Sequence, residues 1–173
     1  MAPADSVGGV AVTVFDIDGV LADVRHRLHH LQTRPKDWNA FFAAAVDDPV
    51  LEPGREALLE AHEAGSTIVY VTGRPRRCRR DTIEWLQRFG MPTGTLHMRP
   101  NHDRRPARFY KADVIMALAR EEDVVAVIDD DDKVVEHLRS LGLPVLHATW
   151  MQEEPGEQQL DLLEQAQEQE GRT

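Results

Sequence analysis

The chain has 173 residues, of which 42% are hydrophobic and 29% are charged, and this ordinary composition predicts a globular protein with one domain. Its apolar runs are too short to cross a bilayer, and its single cysteine excludes an intrachain disulfide. The formal net charge of −10 argues against nonspecific binding of nucleic acid by the chain as a whole.

Five short apolar segments predict the strands of a sheet. In chain order they are residues 10–15, 67–71, 95–98, 124–128 and 144–147. The first, second and fourth are continuous and rich in β-branched residues, which is typical of strands buried on both faces of a parallel sheet. The other two are weaker candidates.

Four helices are predicted between the strands, at residues 53–64, 79–89, 111–120 and 133–141. Strands that alternate with helices of this length indicate a doubly wound, Rossmann-like α/β sheet. Residues 24–50 are too few for an independent domain, so we expect them to form a small helical lid. Asp37 is a candidate cap for a helix over residues 38–46.

The two ends of the chain differ from this core over residues 10–150. Residues 1–9 are predicted to be flexible and lack the pattern of a secretory signal, so we expect a cytoplasmic protein. Residues 151–173 form an acidic tail with seven acids and one arginine. Two interpretations of this tail are open: a short helix around Leu160, Leu162 and Leu163, or a disordered segment.

Acidic and hydroxyl side chains follow three of the predicted strands. Asp16 and Asp18 follow the first, Thr72 and Gly73 end the second, and residues 129–132 follow the strand over residues 124–128. Ligands of open α/β sheets bind at the carboxyl ends of the strands. Because crowded carboxylates repel one another, the pattern predicts a hard divalent cation, and Mg²⁺ prefers oxygen ligands.

The spacing of Asp16 and Asp18 predicts a division of labour. Residues two apart on an extended chain point to the same side, so both carboxylates can face one substrate. One can attack phosphorus while the other donates a proton to the leaving oxygen. Gly19 permits the sharp turn that this closeness requires.

These motifs resemble those of the haloacid dehalogenase superfamily. The match runs in order through residues 15–22 (FDIDGVLA), residues 72–74 (TGR), Lys111 and the pair Asp129-Asp130. The resemblance covers about residues 10–150. It implies a phosphatase of this superfamily, with its Rossmann-like fold.

The resemblance also implies a role for each matched residue. Asp16 is expected to be the nucleophile, and Asp18 the general acid and then the base that activates water. Thr72, helped by the amide of Gly73, is expected to hold the transferring phosphoryl group. Lys111 is expected to neutralise charge on the phosphoryl oxygens and on Asp16.

A magnesium site is implied at the same place. Asp16 and Asp130 are expected to bind Mg²⁺ through their carboxylates, with Asp129 close by. Asp18 is expected to reach the metal through its main-chain carbonyl. By contrast, Asp131 and Asp132 are predicted to cap the helix that begins near Lys133.

Further segments are similar to the 3′-phosphatase domain of bacteriophage and bacterial polynucleotide kinases. They are residues 37–42 (DWNAFF), 72–74, 98–105 and 128–130. This narrower resemblance implies a substrate with a terminal phosphate on nucleic acid or a nucleotide. Trp38 and Phe42 in the lid are candidates for stacking on a base, although core packing is the favoured interpretation.

The basic residues of the chain are clustered in a way that suits such a polyanion. Five arginines fall within residues 74–80, and five further bases fall within residues 99–111. We expect a basic funnel at the carboxyl ends of the strands. Its predicted residues are Arg74, Arg76, Arg77, Arg99 and Arg105.

Two alternatives remain open on the sequence. The first is a phosphatase of a small phosphorylated metabolite. The second, from a different class, is a non-catalytic phosphate-binding module or a partner-docking protein that uses the acidic tail. The presence of both Asp16 and Asp18 argues against the second. No membrane partner is expected, and monomer and dimer are equally open.

Overall fold

The structure, a computed structural model, describes residues 9–151. The expectations for residues 1–8 and for the acidic tail beyond Met151 lie outside this range. Within it, no helix combines the length and the apolar character needed to cross a membrane.

One five-stranded parallel sheet forms the centre of the protein. Its strands are β1 (Ala11–Phe15), β2 (Thr67–Pro75), β3 (Thr95–Arg99), β4 (Asp123–Asp129) and β5 (Val145–His147), in the spatial order β3-β2-β1-β4-β5. All four neighbouring pairs are parallel. The five predicted strands and the doubly wound α/β class are therefore confirmed.

Within residues 9–151, five α-helices accompany the sheet. They are α1 (Trp38–Ala43), α2 (Glu52–Glu63), α3 (Arg79–Arg88), α4 (Ala107–Glu121) and α5 (Asp132–Ser140). The prediction for α4 was wrong at its start, which lies four residues earlier, directly after Pro106. Lys111 therefore lies one turn inside this helix, where its side chain is 2% exposed.

Strand residues alternate between two buried clusters, one on each face of the sheet. Val14 and Val71 pack with Ile115 of α4 and Leu138 of α5. Their neighbours on the other face, such as Phe15 and Tyr70, pack with α3 and with the residues of the lid. Burial on both faces explains why the central strands read as continuous apolar runs in the sequence.

The lid consists of α1 and two 3₁₀ helices, Arg25–Leu31 and Ala44–Asp47. The side chain of Asp37 accepts a hydrogen bond of 2.9 Å from the backbone N–H of Ala40, which confirms the predicted cap. The α-helix ends at Ala43 rather than at residue 46, since the chain continues as a 3₁₀ helix. Trp38 and Phe42 are buried, with 4% and 2% exposure, so core packing is confirmed for both.

Gly54 lies where helix α2 passes closely over the loop that follows β1. A Cβ atom at this position would lie 1.8 Å from the carbonyl oxygen of Val20. That same oxygen accepts a hydrogen bond of 3.1 Å from the indole Nε1 of Trp150. The helix therefore needs a glycine in its first turn because backbone atoms occupy the space of a side chain.

We expect Gly54→Ala to destabilise the protein by about 1 to 3 kcal/mol, because the added methyl group has to displace backbone. In an unobstructed helix, the same change stabilises by about 1 kcal/mol, so the sign of the effect is informative. Urea unfolding monitored by circular dichroism measures it. Glu56→Ala, on the exposed side of the same helix, is the control and should change stability by less than about 0.5 kcal/mol. A stabilised Gly54→Ala variant would contradict the close approach.

Candidate active site

The sheet order brings the predicted motifs together. β1 lies in the centre, between β2 and β4, so the carboxyl ends of these three strands are adjacent. Asp16 directly follows β1, and its backbone N–H donates to the carbonyl of Ile128 at 3.0 Å. Thr72 lies near the end of β2, where the register towards β3 shifts. Asp129 is the last residue of β4.

Lys111 and three carboxylates form a compact charged group at this edge. Oxygen atoms of Asp16, Asp129 and Asp130 lie within 4.8 Å of one another. The ammonium group of Lys111 donates to Asp16 Oδ2 at 2.8 Å and to Asp129 Oδ2 at 2.7 Å. Helix α4 thus delivers one positive charge to a site that holds three acids.

The pKa values of these residues are shifted by burial and by the neighbouring charges. Burial raises the pKa of Asp16 to about 7, although Lys111 opposes the change. Burial also raises the pKa of Asp130 well above its usual range, and the charges of Asp129 and Asp16 add to the effect. For Lys111, burial alone would lower the pKa, but Asp129 and Asp16 outweigh it and raise the pKa. The raised pKa values of Asp16 and Asp130 therefore indicate that negative charge exceeds positive charge in this group.

The donors present fit a hard divalent cation. Within residues 9–151, Asp16 Oδ1 is buried without a hydrogen-bond partner. Carboxylate oxygens are the ligands that Mg²⁺ prefers, and a divalent ion would offset the excess of negative charge. The carboxylate of Asp18 lies outside this acidic group. For Asp18, the expected contact with a metal is through the main-chain carbonyl, and it stays a prediction, as do the contacts of the three carboxylates.

Gly19 allows Asp130 to approach the loop after β1. Its φ angle of +80° is in the left-handed region, and a Cβ atom here would lie 1.9 Å from Asp130 Oδ2. Both the turn and the contact therefore require glycine. Asp131, as predicted, caps α5 by accepting hydrogen bonds from the backbone N–H groups of Lys133 and Val134.

Asp18 faces two buried arginines instead of the lysine. Its Oδ1 accepts from Arg27 Nη2 at 2.7 Å and from Arg74 Nε and Nη2 at 2.9 and 2.6 Å. Burial alone would raise the pKa of Asp18, but the two guanidinium groups outweigh it and lower the pKa to about 2. Within the described part of the chain, Asp18 Oδ2 is buried and has no hydrogen-bond partner.

Asp48, at the end of the lid, holds both arginines in place. Its carboxylate accepts from Arg27 Nε at 2.7 Å, from Arg27 Nη2 at 2.8 Å and from Arg74 Nη2 at 2.8 Å. His26 Nε2 lies 2.7 Å from the same carboxylate. The backbone carbonyl of Asp48 accepts from the indole of Trp85 at 2.9 Å. Two carboxylates and two guanidinium groups therefore form one hydrogen-bonded network, made of Asp18, Asp48, Arg27 and Arg74.

The sequence analysis missed Arg27 and Asp48. Neither belongs to a recognisable motif, and each reaches the site across the lid. Arg27 is nine residues from Asp18, and Asp48 is 26 residues from Arg74. Their charge was no signal, because the same segment holds exposed charged residues such as Arg34, Asp37 and Asp47.

The structure places the five arginines of the predicted basic funnel in different environments. Arg74 and Arg99 are buried, with 1% and 2% exposure; Arg74 is paired with Asp18 and Asp48, whereas Arg99 lines the cavity described below. Arg105 is exposed but bound to the carboxylates of Asp103 and Asp113. Arg76 and Arg77 remain exposed on the 3₁₀ helix that follows β2.

A cavity of about 280 Å³ opens beside the motif at the end of β2. Gly73 and Pro75 form one wall, and Phe42 and Asn39 of the lid form another. The remaining lining residues are Arg77, Arg99, Pro100, Asn101, Asp103 and Arg104. This polar cavity adjoins Thr72, which is fully buried at the end of β2.

We expect Asp48→Ala to destabilise the protein by about 3 to 5 kcal/mol, because it leaves two buried guanidinium groups without one of their carboxylates. The neighbouring Asp47 is exposed, and Asp47→Ala should change stability by less than about 0.5 kcal/mol. Denaturant unfolding of the two variants measures the difference. Coincident unfolding midpoints would show that the network carries no such energy.

Known proteins resemble this chain in sequence and in structure. The family model of the phosphatase domain of polynucleotide kinase PNKP matches residues 10–150. A chain of the Pnkp1/Rnl/Hen1 RNA repair complex has a similar structure, with a TM-score of 0.69 and 22% sequence identity over 82% of this chain. The present chain covers 43% of that chain, less than half of its length.

Other solved structures share the fold at lower identity. The class C acid phosphatase from Bacillus anthracis has a TM-score of 0.62 and 14% identity, and the match covers 95% of this chain and 82% of that chain. A haloacid dehalogenase-like hydrolase from Streptococcus pneumoniae has a TM-score of 0.52 and 15% identity, with 80% and 84% covered. No curated protein matches the chain. The chain is a phosphatase domain of the haloacid dehalogenase superfamily and belongs to the PNKP phosphatase family.

Proposed function

We propose that this chain is a Mg²⁺-dependent phosphomonoesterase that forms an aspartyl-phosphate on Asp16 and acts on a terminal 3′ phosphate of a nucleic acid or nucleotide. One observation carries the proposal. Asp16 and Asp18 each keep one buried carboxylate oxygen without a hydrogen-bond partner among residues 9–151, while their other oxygens are held by opposite charges. Two such oxygens suit one reacting phosphoryl group.

In the first step, a carboxylate oxygen of Asp16 forms a bond to phosphorus. The bond between phosphorus and the ester oxygen breaks, and its electron pair stays on the leaving oxygen, which takes up a proton from Asp18. The contact between Lys111 and Asp16 keeps the nucleophile oriented. Thr72 and the amide of Gly73 hold the phosphoryl oxygens as they move.

The source of that proton follows from the two arginines. They lower the pKa of Asp18 to about 2, so its carboxylate is ionised before substrate binds. A phosphate monoester loses its second proton near pH 6, and its monoanion brings one proton into the site. That proton passes through Asp18 Oδ2 to the leaving oxygen.

In the second step, water attacks the phosphorus of the aspartyl-phosphate. Asp18 accepts a proton from this water, the bond to Asp16 breaks, and inorganic phosphate leaves. A carboxylate whose pKa is low is free to act in this step without first losing a proton. Arg27, Arg74 and Asp48 position Asp18 throughout, but they do not react.

Asp16, Asp129 and Asp130 would hold Mg²⁺, with the main-chain carbonyl of Asp18 as a further ligand. When bound, Mg²⁺ supplies positive charge next to the phosphoryl oxygens. This assignment rests on the grouping of the three carboxylates and on the excess of negative charge around Lys111.

The nucleic-acid substrate is supported by three observations. The family model is that of the phosphatase domain of a polynucleotide kinase, and one structural relative belongs to an RNA repair complex. The cavity beside Gly73 is lined by arginine and asparagine side chains, which suit phosphates and nucleosides. We therefore infer that nucleic-acid ends are the partners of this site.

We expect the native chain with Mg²⁺ to release phosphate from a 3′-phosphorylated oligonucleotide. Asp16→Asn should lower the rate by about 1,000-fold or more, because an amide is a poor nucleophile. Phosphate release measures both rates, and thermal unfolding checks that the variant is folded. Equal activity of the two proteins would disprove the role of Asp16. Hydrolysis of an aryl phosphate but not of the oligonucleotide would instead favour a small phosphorylated metabolite.

We expect Mg²⁺ to raise the melting temperature of the native chain. At 100 times its dissociation constant, a ligand adds about 2.7 kcal/mol, which corresponds to roughly 5 to 10 °C for a protein of this size. Asp130→Asn should lose this gain and should be at least as stable as the native chain without metal, since one crowded charge is removed. The control Asp132→Asn changes an exposed acid and should keep the gain. A full gain in Asp130→Asn would exclude this metal site.

A further inference from the structure

Arg77 connects the lid to the rim of the cavity beside Gly73. Its backbone N–H donates to Asn101 Oδ1 at 2.9 Å. Its Nη2 donates to Asn39 Oδ1 at 3.4 Å, and its guanidinium carbon lies 5.5 Å from the ring centroid of Phe42. The loop after β3 therefore holds the backbone of Arg77, and the lid contacts its guanidinium group.

The charge of Arg77 is available to a ligand, unlike the charges of Arg80 and Arg105. Among the residues that the structure describes, Arg77 forms no ion pair, whereas Arg105 is bound to two carboxylates. Arg80, three residues later, is paired with Glu84 at 2.8 Å. An exposed guanidinium that contacts one amide and one aromatic ring, on a backbone held by a second amide, suits a phosphate group.

The size and place of the cavity restrict what lies between this arginine and the reacting phosphate. A volume of about 280 Å³ is near the lower end of small-molecule sites, so it suits a single nucleoside and not the end of a duplex. One wall is Gly73, next to the expected phosphoryl position at Thr72. The rim carries Arg77 and Asn101, which also line the cavity.

We propose that the cavity binds the terminal nucleoside of an unpaired 3′ end and that Arg77 binds the phosphodiester on the 5′ side of that nucleoside. This inference rests on the proposed function, because it assumes a nucleotide at the site. A terminal nucleoside carries the reacting phosphate at its 3′ oxygen and the chain at its 5′ oxygen. With the 3′ phosphate at Thr72 and the nucleoside in the cavity, the second phosphate lies at the rim.

The inference predicts that the enzyme recognises two phosphates and not one. A 3′-phosphorylated deoxydinucleotide has both, whereas the corresponding deoxynucleoside 3′-monophosphate has only the reacting phosphate. We expect kcat/KM of the native chain to be about tenfold higher for the dinucleotide, which corresponds to about 1.4 kcal/mol. Since the second phosphate is bound alike before and during the reaction, the difference should lie in KM.

The variant Arg77→Gln should abolish this preference by lowering kcat/KM for the dinucleotide to that for the mononucleotide. Arg80→Gln is the matched control, since it removes the same charge from the same region but from an arginine outside the cavity lining, and it should keep the tenfold ratio. Arg77 is exposed, and an unchanged melting temperature verifies the fold of both variants.

Three results would overturn the second phosphate site, and a fourth would overturn the substrate class. Equal kcat/KM for the two nucleotides in the native chain would overturn the second phosphate site, and so would a preference that persists in Arg77→Gln. A preference lost equally in Arg77→Gln and Arg80→Gln would show general attraction by positive charge and would also overturn it. If neither nucleotide is hydrolysed while an aryl phosphate is, the substrate class in the proposed function fails, and the inference fails with it.

Discussion

The repulsion between carboxylates at one edge of the sheet is the constraint on which the site depends. Parallel strands end side by side, so the acids that follow β1 and β4 are forced together. The protein resolves this by giving the two aspartates of the first motif different surroundings. Asp16 lies against Lys111 and two further acids, whereas Asp18 lies against two arginines. Their pKa values consequently shift in opposite directions, upwards for Asp16 and downwards for Asp18.

This division makes the lid part of the active site as well as its cover. Arg27 and Asp48 lie near the two ends of the lid segment and are both buried. Arg27 donates to Asp18, and Asp48 accepts from Arg74. The aromatic cluster of α1 fills the space behind them, and the ring of Phe41 lies 4.1 Å from the guanidinium carbon of Arg27. A change in lid packing would therefore alter the position of Asp18, even where no lid residue contacts the substrate.

The basic clusters of the sequence also serve different purposes in the fold. Arg74 neutralises buried carboxylates, Arg105 joins Asp103 to Asp113, and Arg77 is held at the rim of the cavity. Burial lowers the pKa of Arg99, which lines that cavity, to about 10, because desolvation disfavours its charge. Proximity in the sequence thus indicates the region that a polyanion would approach, but not which arginine contacts it.

The sequence by itself determined the α/β class, all five strands and the convergence of Asp16, Thr72 and Asp129, because apolar periodicity and strand ends are local patterns. It also predicted that Lys111 joins them, through family resemblance. Only the tertiary structure decided that Arg27 contacts Asp18, that Asp48 holds Arg27 and Arg74, and that Arg74 is buried. These contacts join segments up to 56 residues apart, and their formation depends on how the lid packs on the sheet. Local sequence patterns do not reveal such packing, because a charged residue gives the same pattern whether it is exposed to solvent or paired inside the protein.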